Sequence, residues 1–143
     1  MASVFYPSLA DAEVIDLEFL KLDGAVCSHR LLVDSGFMGR SSLVLPNTAA
    51  DLIRAALPAT HTTGALQGLK DRGWVTCQIA GLNYQATLIA ILADTTALSL
   101  PPRVEGLVGL TFLRQFASWG SQRAASGWQF FLSDGREIGR AHV

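Results

Sequence analysis

One short segment of the sequence combines the residue types from which an acid catalyst can be built. Residues 31–36 read Leu-Leu-Val-Asp-Ser-Gly, an apolar run followed by a carboxylic acid, a hydroxyl and a glycine. The apolar residues predict a strand that enters the core and carries Asp34 inward. Because a buried carboxylate is costly unless it is hydrogen-bonded, we expect the Ser35 hydroxyl and the Gly36 N–H to bond it. Asp34 is therefore the candidate for acid–base chemistry.

The two cysteines, Cys27 and Cys77, offer a different chemistry. On a strand, Cys27 would share a face with His29, which is an arrangement found among metal ligands. No second Cys-X-His or Cys-X-X-Cys pair completes a tetrahedral set, so we predict no metal and no other cofactor. A Cys–His hydrolase that uses Cys77 or Cys27 is a further interpretation, although neither cysteine lies in a local sequence typical of such enzymes.

The elements that must position Asp34 are mostly short strands. Alternating apolar and acidic residues after Glu13 indicate a half-buried strand, and Asp23-Gly24 supplies a turn into the strand that ends at Asp34. Further strands are predicted at residues 42–45, 74–79, 84–92, 104–109 and 128–132, with a final turn at 133–136 and a short strand at 137–138. This pattern predicts an all-β protein, a closed barrel or a sandwich.

Helices and loops in this pattern are short. Asn47 is a potential cap for a helix at residues 48–57, which Pro58 would end, and a second short helix is predicted at 111–116. Residues 61–73 contain three glycines among polar residues and predict a hairpin.

Composition limits the possible functions. The chain has 143 residues, enough to bury the core of one domain, and its 11 Lys and Arg against 12 Asp and Glu leave a formal net charge of −1. No basic cluster suits a nucleic-acid backbone. The longest apolar run, residues 86–93 broken only by Thr87, falls far short of the ~20 residues that span a bilayer, and the N-terminus has no signal-peptide pattern. We expect a single domain, residues 1–143, in the cytoplasm, without nucleic-acid or membrane partners.

Two motifs resemble those of one family. Leu32-Val33-Asp34-Ser35-Gly36 resembles the D-[ST]-G active-site signature of retropepsin-like aspartic proteases, and residues 107–113 resemble the apolar-apolar-Gly stretch that begins the family's C-terminal helix. Between them, the hairpin at 61–73 occupies the place of the family's flap, and residues 81–90 resemble the strand pair that follows. The resemblance covers roughly residues 13–116, so that 117–143 would be a C-terminal extension containing an extra hairpin.

This resemblance implies an aspartic endopeptidase with a retropepsin-like closed barrel. Two copies of the chain would pair, and their two Asp34 carboxylates would activate a water against a polypeptide substrate. Ser35 would lock the two catalytic loops across the dimer axis, and Gly36 would leave a carbonyl free for substrate. The residues expected to bind substrate are Leu66, Gln67 and Gly68 at the flap tip and Phe37, Leu107 and Val108 in the pocket walls, although each of the last three could equally be ordinary core.

The chain also departs from the family pattern. Phe37, Met38 and Leu110 replace the residues that form an ion-pair network in retroviral members. We therefore expect the dimer to depend on apolar strands, including the C-terminal one with Trp128 and its neighbouring phenylalanines. An alternative interpretation is a catalytically silent retropepsin-like module that dimerises or binds peptides. We expect His61 and Lys70 near the hairpin to be solvated surface residues.

Overall fold

A computed structural model describes residues 2–134 of the chain. Strands make up 58% of the described residues, which confirms the all-β prediction. The strands are β1 Ala2–Pro7, β2 Val14–Leu20, β3 Val26–Asp34, β4 Leu43–Pro46, β5 Ala55–Thr62, β6 Gly68–Ile79, β7 Tyr84–Ala93, β8 Gly106–Gly109, β9 Ser118–Ala124 and β10 Gly127–Asp134. The α-helix α1, Leu110–Leu113, is a single turn, and short 3₁₀ helices lie at Asn47–Leu52, Gly64–Leu66, Ala80–Leu82 and Thr95–Leu98.

Six strands close into a barrel in the order β2-β3-β8-β4-β7-β6, and β6 pairs again with β2. The β2–β3 hairpin turns at Gly24, whose positive φ of 87° suits a glycine, and the Asp23 carboxylate accepts the N–H of Ala25. β8 lies between β3, to which it is parallel, and β4, to which it is antiparallel. Fully buried side chains such as Phe19 and Phe112 fill the interior. The barrel thus brings the ends of β3 and β8 side by side.

A second sheet has the order β1-β10-β9. Its strand β10 turns Phe130 and Leu132 into the main core, where they are 2% and 0% exposed, so the described part of the C-terminal extension belongs to the folded unit. The extra C-terminal hairpin was predicted to join residues 128–132 and 137–138, whereas in the described chain β10 forms a hairpin with β9, which was not predicted as a strand. Ser133 and Asp134, which were expected to begin a turn, continue β10 instead. The rest of that turn and the strand predicted at 137–138 lie outside the described residues.

The prediction of a helix at residues 48–57 is wrong after residue 52. The chain forms a 3₁₀ helix only over Asn47–Leu52, Pro46 rather than Asn47 precedes it, and no side chain caps it. Pro58 does not end a helix but lies within β5, the edge strand of the barrel sheet. An edge strand tolerates proline because its missing N–H has no neighbour to bond, and the β5–β6 pairing shifts register between Leu57 and Thr60 at this point. The second short helix was expected at 111–116, and α1 lies at its start.

Helices in residues 2–134 are all too short to cross a membrane.

Candidate active site

Asp34 is the last residue of β3, where the strand leaves the barrel. In the parallel β3–β8 pairing it lies opposite Gly109. Its Oδ1 accepts a hydrogen bond from Gly36 N at 3.0 Å, and its carbonyl accepts one from Phe37 N at 3.0 Å. The Gly36 N–H therefore bonds the carboxylate as predicted, whereas the exposed Ser35 hydroxyl does not bond it within the described chain. Asp34 itself is half-buried, and the tight turn after it leaves the carboxylate facing a cleft.

The turn after Asp34 rests on the junction between β8 and α1. Leu110 N donates to the carbonyl of Phe37 at 2.9 Å, and the Thr111 hydroxyl donates to the carbonyl of Gly39. Gly109 must be a glycine here, because a Cβ on it would lie 2.5 Å from both Phe37 O and Phe37 Cδ2. The second glycine motif therefore supports the Asp34 turn by close backbone contact, without an ion pair.

A cleft of about 690 Å³ opens in front of Asp34. One wall is the segment that follows β3, and the opposite wall is the β5–β6 hairpin. The floor comes from β4, β7 and β8. The lining residues are Asp34, Gly36–Ser41, Val44, Thr60–Thr63, Ala65, Leu66, Arg72, Ile91, Leu98 and Leu107. The volume is typical of sites that bind small ligands or a few residues of a peptide.

Three of the six predicted substrate-binding residues meet in this cleft. Phe37, Leu66 and Leu107 all line it and belong to a single apolar cluster, separate from the main core. Gln67 and Gly68 are exposed at the turn of the β5–β6 hairpin and do not line the cleft in the single chain. Val108 is fully buried in the main core, so the structure makes it a core residue rather than a wall of the cleft.

The sequence analysis missed two cationic residues of the cleft, Arg40 and Arg72. Arg40 follows the Asp34 turn, and Arg72 lies on β6, where its Nε donates to the carbonyl of Pro58 at 2.6 Å. His61, interpreted from the sequence as a surface residue, is exposed and also borders the cleft. Pro58 lies outside the hairpin predicted at 61–73 and was expected to end a helix, so the sequence pattern offered no indication of its contact with Arg72.

Other acids of the described chain lie away from the cleft. The Asp94 carboxylate accepts hydrogen bonds from the N–H and hydroxyl of Thr96, which lower its pKa, and it caps a 3₁₀ helix. Asp134 pairs with Ala2 at the end of β10. Among residues 2–134, Asp34 is thus the one carboxylic acid that lines the cleft.

Within residues 2–134, the surroundings of the two cysteines do not favour nucleophilic chemistry. Both are free thiols, and neither lines the cleft in front of Asp34. Burial raises the pKa of Cys77 to about 12 and also raises that of Cys27, so the reactive thiolate form is disfavoured. No group of three or more His, Cys, Asp and Glu residues within 2–134 is arranged to hold a metal ion.

Comparisons with known proteins add no family assignment. Neither the models of known protein families nor the curated proteins contain a match to this chain. The geometry around Asp34 and the two sequence motifs are therefore the features that bear on function.

Proposed function

We propose that this chain is one half of a retropepsin-like aspartic endopeptidase, and that its active site forms when two copies bring their Asp34 side chains together. The observation that carries the proposal is the position of Asp34. It ends a barrel strand, accepts the Gly36 N–H, and faces a cleft large enough for peptide residues beneath the β5–β6 hairpin.

The chemistry requires two carboxylates. One accepts a proton from the attacking water, while the protonated partner donates a hydrogen bond to the carbonyl oxygen of the scissile peptide. The roles exchange as the tetrahedral intermediate collapses and the amine leaves. Two like charges at close range do not both ionise readily, so the pair holds one proton over a broad pH range and titrates as a unit.

A homodimer supplies the second carboxylate most simply. One described chain places one acid in the cleft, and a two-fold axis near the Asp34 turn would bring the same residue from the partner. Ser35 and Gly36 at that turn are exposed, and Met38 beside them is 66% exposed. These residues are accessible for contact with a second copy.

An extended peptide suits the shape of the cleft. The β5–β6 hairpin would act as a flap that closes over the substrate and excludes water, with Leu66, Gln67 and Gly68 near its tip. Phe37, Leu66 and Leu107 would accept apolar side chains of the substrate. Backbone hydrogen bonds of the strand type would hold the peptide without regard to sequence, and the pockets would select side chains.

Comparison of wild type with Asp34→Asn tests the proposal. Both proteins are checked for dimer formation by sedimentation, and then incubated with a mixed peptide library from acid to neutral pH, with and without pepstatin. Asp94→Asn is the matched control, because it removes a carboxylate outside the cleft. We expect wild type and the control to cleave peptides and pepstatin to inhibit that cleavage. We expect no cleavage by Asp34→Asn.

Two other results would decide against the proposal. Cleavage that persists in Asp34→Asn would exclude the aspartic mechanism. Peptide binding without cleavage by any of the three proteins would instead favour the catalytically silent module.

A further inference from the structure

The cleft carries two arginines for which the aspartic mechanism has no role. We propose that Arg40 and Arg72 bind the side-chain carboxylate of the substrate, so that the preferred substrates are peptides with Asp or Glu among the residues held in the cleft. The inference rests on the proposed function, because it assigns the substrate class of the same site.

Arg72 is held in place by the local structure of β5. Pro58 has no N–H, and the β5–β6 pairing shifts register between Leu57 and Thr60, which leaves the carbonyl of Pro58 available. The Arg72 Nε donates to this carbonyl at 2.6 Å. A guanidinium has five N–H donors, so the four on its two Nη atoms stay available to a ligand. The bulge at Pro58 therefore orients a cationic group that lines the cleft.

The charge of these arginines is not balanced by the described protein. Within residues 2–134 the ion pairs closer than 4.0 Å do not include Arg40 or Arg72, whereas Arg30 contacts Asp16 at 2.8 Å. The cleft has one carboxylate of its own, Asp34, and in a dimer the two copies would share a proton. Each half-site thus has two guanidinium groups against at most one negative charge, which favours an anionic ligand.

The surroundings strengthen such an interaction. Phe37, Leu66 and Leu107 belong to the apolar part of the lining, and a bound peptide would exclude water from the space between them and the arginines. A planar guanidinium binds a carboxylate through two parallel hydrogen bonds, which a glutamine amide cannot reproduce. An acidic side chain would therefore be distinguished from its neutral isostere of equal size.

The test uses pairs of peptides that are cleaved or bound in the library experiment and differ only by Glu or Gln at one position. All peptides have an acetylated N-terminus, and each is made with a C-terminal amide and with a free C-terminal carboxylate. The proteins are wild type, Arg40→Gln, Arg72→Gln and the double variant. Arg123→Gln on β9 is the matched control, because Arg123 is exposed and does not line the cleft. Binding of the same peptides is measured by fluorescence anisotropy with Asp34→Asn protein, alone and combined with each of these arginine changes.

We expect wild type and Arg123→Gln to prefer the Glu peptides by about tenfold in kcat/KM, and the preference to fall to about one in the double variant. Arg40 is exposed on a loop and Arg72 is half-buried, and circular dichroism checks that each variant folds. Equal cleavage of Glu and Gln peptides by wild type would overturn the inference and leave the peptidase proposal intact. The inference would also be overturned if only peptides with a free C-terminal carboxylate were preferred, or if the preference for Glu peptides survived in the double variant.

The binding measurement separates the two proposals. If no protein cleaves peptides but Asp34→Asn binds the Glu peptides more tightly through Arg40 and Arg72, the carboxylate site stands and the peptidase proposal fails. If Asp34→Asn shows no preference between Glu and Gln peptides, and no cleavage is seen, both proposals are wrong.

Discussion

Replacing Gly109 by alanine should displace the Asp34 turn while leaving Asp34 itself unchanged. A Cβ at this position would lie 2.5 Å from Phe37 O and from Phe37 Cδ2. Ordinary contacts of a Cβ begin at 3.4 Å, so the two sides must separate by about 0.9 Å, the difference between 3.4 and 2.5. A side chain could rotate away, but Phe37 O is backbone and accepts the Leu110 N–H. The turn itself must therefore move.

The movement reaches the carboxylate directly. Phe37 N donates to the carbonyl of Asp34 at 3.0 Å, so a shift of Phe37 also shifts the end of β3. A misplacement of about 1 Å at a catalytic group costs about 100-fold in rate, and overpacking of this kind costs about 1–3 kcal/mol of stability. We therefore expect Gly109→Ala to lower kcat/KM about 100-fold and to remain folded.

The assay measures kcat/KM per mole of folded dimer for a cleaved peptide, and urea unfolding gives the stability. Gly81→Ala is the control, because the nearest atom to its new Cβ is Val4 Cγ1 at 2.7 Å, the end of a side chain that can rotate. The control should lose some stability and keep its kcat/KM. A folded Gly109→Ala dimer with kcat/KM within about threefold of wild type would refute the proposed support of the Asp34 turn.

Two other predictions concern the dimer and the response to alkali. If the C-terminal strand contributes to the dimer, Trp128→Ser should raise the dimer Kd, measured by sedimentation, at least about tenfold. Trp128 is 55% exposed, and burial of half a tryptophan is worth about 2 kcal/mol. Trp74→Ser, on β6, is the control, and an unchanged Kd in Trp128→Ser would exclude that interface. Burial, with Asp16 and Glu18 nearby, raises the pKa of Tyr6 from 10.0 to about 12, so the neutral phenol stabilises the fold fully below pH 10 and this contribution is lost as the pH rises toward 12. Tyr6→Phe should therefore lose less stability than wild type, by at most about 3 kcal/mol, between pH 9 and 12 in urea titrations, and parallel curves would contradict the assignment.

Much of the barrel could be predicted from residue patterns. Alternation predicted the β2–β3 hairpin, and the apolar run before Asp34 predicted a strand that delivers an acid to the end of the barrel. These features were predictable because they depend on local periodicity and turn chemistry. The bond from Gly36 N to the Asp34 carboxylate was predictable for the same reason, since it joins residues two apart.

Elements that depend on distant partners were missed. β1 and β9 are strands because each pairs with β10, and β9, which reads Ser-Trp-Gly-Ser-Gln-Arg-Ala, has little strand preference of its own. The prediction that Pro58 ends a helix was wrong for a related reason. A proline after an apparent helix and a proline on an edge strand look alike until the order of strands in the sheet is known.

The site was predicted in part for the same physical reasons. The acid and its glycine are adjacent in sequence, so their motif could be recognised. Arg40 and Arg72 are 32 positions apart and belong to opposite walls of the cleft, and charged residues in a loop or hairpin are usually solvated. Val108 was a candidate for the pocket wall that could equally be core, and alternation along β8 directs it into the core while its neighbour Leu107 lines the cleft.

The central claim, that each active site needs an Asp34 from two chains, is tested most directly by mixing wild-type and Asp34→Asn protein. The two are unfolded together and refolded at a constant total concentration, so that dimers form at random, and peptide cleavage is measured against the wild-type fraction. If both carboxylates are required, activity follows the square of that fraction, and an equal mixture retains about one quarter of the wild-type activity. An equal mixture that retains about half of the activity or more, without the quadratic dependence, would show that one Asp34 is enough and would contradict the account.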